Sequence, residues 1–445
     1  MKIIKCSEVG RLEVEKLLRK KSFDEIELPQ KIRESNKKIF GEDLTASELV
    51  RKIVGDVRKL GDAAVIDYTK KFDGAEISAE NFQVTEEEFQ NAEKVADKKI
   101  VESLKLAAEN IFSYHREQLP KSWITYRGES SILGQSIIPL ESVGVYVPGG
   151  TAAYPSSVLM NVIPAKVAGV EKIVMCVPAK GGKINPYVLI AAKIAGADKI
   201  FKVGGAQAIA AMAFGTETIP RVNKITGPGN IFVTLAKKEV FGHCDIDMLA
   251  GPSEILIVAD EKANPIYAAA DMLSQAEHDP LACSIVITTS ESLAEKISAE
   301  VEKQLAKLPR REIAELSIKN NGLIIVAENI SEAIDFANIS APEHMELLLE
   351  NPFNYLPKIK NAGAVFLGEF SPEPLGDYFA GPNHVLPTGG TAKFYSVLNV
   401  ETFLKRTSLI SYSQKDLLNS AENIIRLAKA EGLDAHAEAI KIRQS

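Results

Sequence analysis

SVGVYVPG (142–149), EKIVMCVPA (171–179) and DKIFKVGG (198–205) are short apolar runs, each closed by Pro or Gly. The stretches that separate and follow them, SSVLMNVIPAKVAGV (156–170), NPYVLIAAKIAGA (185–197) and AQAIAAMAFG (206–215), are long enough and apolar enough for buried helices. Strand and helix in alternation are the signature of a parallel sheet, because parallel neighbours need a crossover connection. The pattern predicts a doubly wound unit that ends near Ala250. A second series follows in SEILIVAD (253–260), NPIYAAADMLSQAEH (264–278), CSIVITT (283–289), an amphipathic helix from Glu291, GLIIVAE (322–328), SEAIDFANIS (331–340) and AVFLG (364–368). Two such halves predict an α/β protein with two Rossmann-like doubly wound domains facing a cleft, with ligands between them.

Outward from this centre the patterning changes. Residues 1 to about 125 read as mostly helical, since ELVRKIVGDVRKLGDAAVIDYTKKF (48–72) repeats apolar positions at the spacing of one buried helix face. Residues 368–396 are rich in Gly and Pro without a sustained period, and loops this long inside compact proteins are usually functional. From Val397 helical patterning returns and runs to the end as a tail. At 445 residues the chain exceeds one ordinary core of about 150 residues. Its 46% hydrophobic and 25% charged residues are the usage of a globular protein. A net charge of -7 argues against a nucleic-acid partner. The charged N-terminus MKIIKCSEVGRLEVEK lacks a signal-like apolar stretch, and no run approaches the roughly 20 apolar residues of a membrane span. A cytosolic protein with no membrane partner is expected. Cys6, Cys176, Cys244 and Cys283 stand singly and read as reduced thiols without a catalytic motif.

Polar chemistry gathers around four of the six histidines. Gln275 and His278 are spaced i, i+3 at a helix end, where both side chains can face one point. Two imidazoles, a carboxylate and an amide oxygen make a reasonable catalytic metal set, with Asp377 and His436 as candidates for the remainder. By spacing alone, such a pair is far more often an ordinary surface or helix-end feature. Glu343-His344 in SAPEHMELL (340–348) sets a carboxylate beside an imidazole just after a proline, a pairing suited to two proton transfers. Taken alone, it reads more readily as an exposed strand end. The turns VPGGTAAYP (147–155), VGGAQA (203–208) and TGPGN (226–230) lie between predicted strands and helices, where backbone N–H groups can meet phosphates. None is a G-x-G-x-x-G, so tight connection explains them as well as a dinucleotide does.

Five segments in register, IDMLAGPSEILIVAD (246–260), DMLSQAEHDP (271–280), SAPEHMELL (340–348), PLGDYFAGPNHVLPTGG (374–390) and EGLDAHAEA (431–439), resemble the histidinol dehydrogenase family, and the similarity runs from about residue 30 onward. The resemblance implies oxidation of L-histidinol through L-histidinaldehyde to L-histidine, with two NAD molecules in succession and one zinc ion per site. It further implies the metal ligands Gln275, His278, Asp377 and His436, and the NAD contacts Tyr146, Gln207 and Asn230. Ser253, His384, Glu431, His344 and the four metal ligands would contact substrate, while Glu343 and His344 form the catalytic pair. A homodimer whose C-terminal tail crosses to the partner is also implied. The expected division is an N-terminal helical segment over 1–28, one Rossmann-like domain from 29–140 with 252–396, a second over 141–251, and an exchanged helical tail over 397–445.

Two other classes compete. In a zinc-dependent hydrolase, Glu343 would activate water against a small amide or ester, and the Gly-rich turns would be structural. In a nucleotide-binding protein without catalysis the polar positions would have no chemical task, and their full retention argues against it. NAD reduction on adding histidinol separates the dehydrogenase from the hydrolase, and metal analysis with turnover settles the non-catalytic alternative.

Overall fold

The computed structural model describes residues 1–20, 30–149 and 153–444, apart from the side chains of residues 31, 32 and 35. The expected boundary at 28/29, and residues 150–152 of the first Gly-rich turn, lie outside the described residues. Fourteen strands form three sheets, numbered here in chain order. A six-stranded sheet contains β1 (Lys2–Lys5), β9 (Glu254–Ala259), β10 (Cys283–Thr288), β11 (Gly322–Val326), β12 (His344–Leu348) and β13 (Ala364–Leu367) in the order β1-β11-β10-β9-β12-β13. A five-stranded sheet contains β4 (Ser142–Tyr146), β5 (Lys172–Cys176), β6 (Lys199–Phe201), β7 (Lys224–Thr226) and β8 (Asp245–Ile246) in the order β6-β5-β4-β7-β8. All pairs in both are parallel, and in each the chain builds outward from β9 or β4, then returns to build on the other side. Reversal of that kind opens a crevice beside the first strand. The third sheet is antiparallel, with β2 (Trp123–Arg127), β3 (Ser131–Pro139) and β14 (Leu404–Ser411) in the order β14-β3-β2.

Strands β5 and β9 are buried almost throughout, which explains why they read as continuous apolar runs rather than as alternation. Helices cover both faces. On the five-stranded sheet, helix Ala46–Leu60 presents Leu49, Val50, Ile53 and Val57 to the alanine-rich helix Gly205–Phe214, while helices Pro155–Ala168 and Pro186–Ala195 fill the other core. A capping box at Thr45 and Glu48 starts Ala46–Leu60 by satisfying N–H groups that the first turn leaves open.

Three expectations about the segments need correction. Within the segment expected to be helical, the described residues 1–20 are not simply so, because Lys2–Lys5 adds an edge strand to the six-stranded sheet and Val14 and Leu18 join its core. The helices between Ala46 and Arg116 were expected to belong with 252–396, yet their apolar faces pack on the five-stranded unit. The reason is complementarity of faces: the Ala-rich helices Pro186–Ala195 and Gly205–Phe214 allow close approach to the apolar faces of the earlier helices. Residues 123–139, to which the sequence assigns no element beyond about residue 125, form β2 and β3 of the antiparallel sheet. The tail, expected to be helical from 397, opens with β14, whose eight residues pair with β3.

Candidate active site and metal centre

Glu343 and His344 are not an exposed strand end. They stand at the start of β12, 7% and 3% exposed, next to the first residues of β9. One residue, Glu254, holds both: its backbone N–H donates to Glu343 Oε2 at 2.8 Å, and its carbonyl lies 3.0 Å from His344 Nδ1. A carbonyl can only accept, so Nδ1 carries the hydrogen and Nε2 is left with its lone pair. His344 Nε2 is buried and has no hydrogen-bond partner, with Asp377 Oδ1 3.8 Å away. Burial holds the His344 imidazole below its ordinary pKa, with nearby Asp377 opposing, whereas burial lifts the Glu343 carboxyl well above the usual carboxylate range. A neutral imidazole with a free lone pair and a basic carboxylate are both suited to accept protons near neutrality.

Helix Pro265–Ala276 runs back across the six-stranded sheet and delivers Gln275 in its last turn, with His278 just beyond. Among the described residues, His278, Glu373 and Asp377 place one ligand atom each within 4.8 Å of one another. Gln275 is 0% exposed, and neither its Oε1 nor its Nε2 has a partner. A buried amide left unmet on both atoms costs stability, of order 1–3 kcal/mol per group, unless something binds it. Amide oxygen, imidazole and carboxylate are a donor set that suits a divalent metal ion. His384 completes the rim: Nδ1 lies 2.9 Å from the Asp377 carbonyl, and Nε2 lies 3.1 Å from Ser157 Oγ on helix Pro155–Ala168. That contact ties the cluster to the five-stranded unit. Ser253 lies immediately before β9, partly buried.

Within the cluster, at Glu373, and behind it, at Glu346 and Asp271, are carboxylates that sequence reading missed. Glu373 Oε2 accepts from Ser274 Oγ at 2.7 Å, and the Glu373 N–H donates to Glu346 Oε1 at 2.8 Å. Burial, reinforced by the neighbouring acids, lifts Glu346 and Glu373 well above the carboxylate range and pushes Asp271 up to about 6 by burial. The i, i+4 spacing of Glu373 and Asp377 was a usable signal; nothing local marks Glu346 or Glu254 among the strand residues around them.

Tyr146, Gln207 and Asn230 are brought together in one cavity of about 500 Å³, with Asn36, Leu49, Ile53, Phe72, Asp73 and Phe232 also on its walls. They follow the carboxyl ends of β4, β6 and β7. The Tyr146 hydroxyl accepts from Gly205 N–H at 3.1 Å, at the start of helix Gly205–Phe214, and Asn230 caps helix Ile231–Val240 through the N–H groups of Phe232 and Val233. Gln207 is 1% exposed with both side-chain polar atoms unpartnered. The TGPGN turn is clamped from both sides: Gly227 N–H donates to Asp247 Oδ2, Lys237 Nζ donates to the Gly227 carbonyl, and Lys237 and Asp247 form a buried ion pair. Gly227 has φ +114°, and a Cβ there would strike the Tyr146 carbonyl oxygen, so only glycine fits.

Glu431 and His436 are not brought to the cluster within this chain. Both are exposed, on helices Gln414–Ala430 and Asp434–Lys441 and the turn joining them.

The sequence model of the histidinol dehydrogenase family matches residues 37–444. A histidinol dehydrogenase of Carboxydothermus hydrogenoformans is 56% identical over 411 residues, covering 92% of this chain and 96% of its own, and that of Bacillus subtilis is 57% identical over 396 residues, covering 89% and 92%. The crystal structure of histidinol dehydrogenase from Elizabethkingia anophelis superposes with a TM-score of 0.90 at 38% identity, over 100% of this chain and 98% of that one. With the family profile spanning nearly the whole sequence, and relatives of this identity matched end to end, the chain belongs to the histidinol dehydrogenase family.

Proposed function

We propose that this oxidoreductase converts L-histidinol through L-histidinaldehyde to L-histidine, with NAD as acceptor in both steps and a zinc ion holding the substrate. The observation that carries the reading is the pair Glu343 and His344, buried beside a group of metal-binding side chains, with His344 Nε2 free to accept a proton. His344 would accept the alcohol's proton, and bound NAD would supply the hydride acceptor. For the aldehyde, Glu343 accepts a proton from the attacking water, and His344 again serves the departing hydroxyl proton. Gln275, His278 and Asp377 would hold the zinc together with His436, and the ion would orient the substrate through its imidazole and amine. Ser253, His384 and Glu431 would complete the substrate pocket; Tyr146, Gln207 and Asn230 would hold NAD. Unpartnered Gln275 and Gln207 side chains support both assignments. The hydrolase reading gains nothing from relatives that are dehydrogenases. The test is stoichiometry: two NADH formed per histidinol consumed support the full reading, and one per histidinol, or none, removes it.

His436 requires a second chain. Helix Gln414–Ala430 buries only Ala421 and Ala428, and helix Asp434–Lys441 only Ala437, so the tail has little core of its own. Leu427, Leu433 and Ile442 on the tail, with Ile410 on β14 and Trp123, Ile124 and Tyr126 on β2, leave an apolar surface open. A homodimer that exchanges tails would cover this surface and bring Glu431 and His436 to the partner's site. His344→Ala and His436→Ala should each be inactive, yet a mixture unfolded and refolded together should recover about a quarter of wild-type activity: roughly half the dimers are mixed, and each then has one intact site. Background activity in a mixture shown by mass to contain mixed dimers would place His436 in its own chain's site. No described helix is long and apolar enough to cross a membrane.

A further inference from the structure

The cavity beside Tyr146 contains a charged group that the roles above leave unused. Asp73 is the last residue of helix Asp62–Asp73, the end at which the helix dipole disfavours negative charge. Its Oδ2 is buried and has no hydrogen-bond partner, and burial lifts its carboxyl above the ordinary range. Dipole, desolvation and an unmet acceptor all oppose a carboxylate here in the free protein, and all three are relieved if a ligand brings hydrogen-bond donors to it. Around it Leu49, Ile53, Phe72 and Phe232 give the cavity apolar walls suited to a flat base, and Gln207 adds a second unpartnered polar side chain.

Resting on the reading of this cavity as the dinucleotide site, we propose that Asp73 accepts hydrogen bonds from the adenosine ribose hydroxyls and so selects NAD over its 2′-phosphorylated form. A ribose diol presents two O–H donors side by side, which one carboxylate can accept together. A phosphate in place of the 2′-hydroxyl would remove one donor and set negative charge against the carboxylate. Among the described lining residues only Lys180 carries a positive charge to offset it, and Lys180 is exposed. Like charges in a poorly solvated pocket repel far more strongly than in water. The usual dinucleotide fold places its ribose-binding acid on a strand end of the same sheet. Here the acid comes from a helix that packs on the sheet from earlier in the chain.

The experiment titrates NADH and NADPH separately into full-length protein by nucleotide fluorescence, without histidinol, for wild type, Asp73→Asn, Asp73→Ser and Gln207→Ala, each checked by thermal melting. Wild type should bind NADH in clear preference to NADPH. Both Asp73 variants should weaken NADH about tenfold while leaving NADPH unchanged or tighter, so the preference falls by at least about tenfold. Gln207→Ala should weaken both nucleotides together. If the Asp73 variants leave the preference unchanged, or weaken both nucleotides equally, Asp73 does not read the ribose and the inference fails while the dinucleotide site stands. If Gln207→Ala and the Asp73 variants all bind NADH like wild type, the cavity is not the dinucleotide site and both readings fall.

Discussion

Chelating the metal ion should reduce turnover to background while the secondary structure and cooperative melting persist. The four hydrophobic clusters found among the described residues are built of apolar side chains on strands and covering helices, and none depends on an ion for its burial. What an ion would satisfy is local: the unmet amide of Gln275 and the converging atoms of His278, Glu373 and Asp377. Loss of a ligand that binds only the folded state lowers the melting temperature by mass action, so a modest downward shift is expected alongside the loss of activity. His278→Ala and Asp377→Ala should reproduce the inactivity in metal-supplemented buffer, with metal content per chain measured directly. Metal-free protein that keeps its full rate would remove the metal from the mechanism.

Glu343→Gln should slow oxidation of histidinaldehyde by roughly 10²–10⁴, a transition-state loss of about 2.7–5.4 kcal/mol, and slow oxidation of histidinol far less. Only the second step adds water, and the amide is nearly isosteric but cannot take its proton. The substitution also puts a neutral group where burial already disfavours charge, so the fold should tolerate it. His344→Asn should slow both steps, because each releases a hydroxyl proton. Single-turnover measurements with histidinol and with histidinaldehyde separate the two half-reactions. Equal, small effects of Glu343→Gln on both would leave the carboxylate without its proposed task.

The two sites lie at opposite kinds of sheet edge, and this is where local reading ran out. The cavity of Tyr146, Gln207 and Asn230 lies at the carboxyl ends of its strands, the usual ligand position in a doubly wound sheet. Glu343 and His344 instead begin β12 and lie beside the beginning of β9, at the amino edge of the other sheet. The helix Pro265–Ala276 runs back to that edge, so Gln275 and His278 arrive there at its end. Periodicity located the strands, but it carried no information on which end of a strand would face the second unit.

By itself the sequence determined the alternating strand and helix order of both halves and, through five motifs in register, the family to which the chain belongs. These are local or near-local properties: apolar runs form strands wherever they are covered, and i, i+3 spacing aligns Gln275 with His278 in any helix. Only the tertiary structure decided that Lys2–Lys5 joins a sheet whose next strand is more than 300 residues away, and that helices Ala46–Leu60 and Asp62–Asp73 cover the five-stranded unit. It also decided that Glu254 grips Glu343 and His344 with its two backbone groups, and that Glu373 converges with His278 and Asp377 while Glu346 accepts from the Glu373 backbone N–H behind them. Such pairings depend on which apolar faces fit one another and on which buried polar atoms find partners across the core. Both are set by packing between distant segments, and no window of sequence contains them.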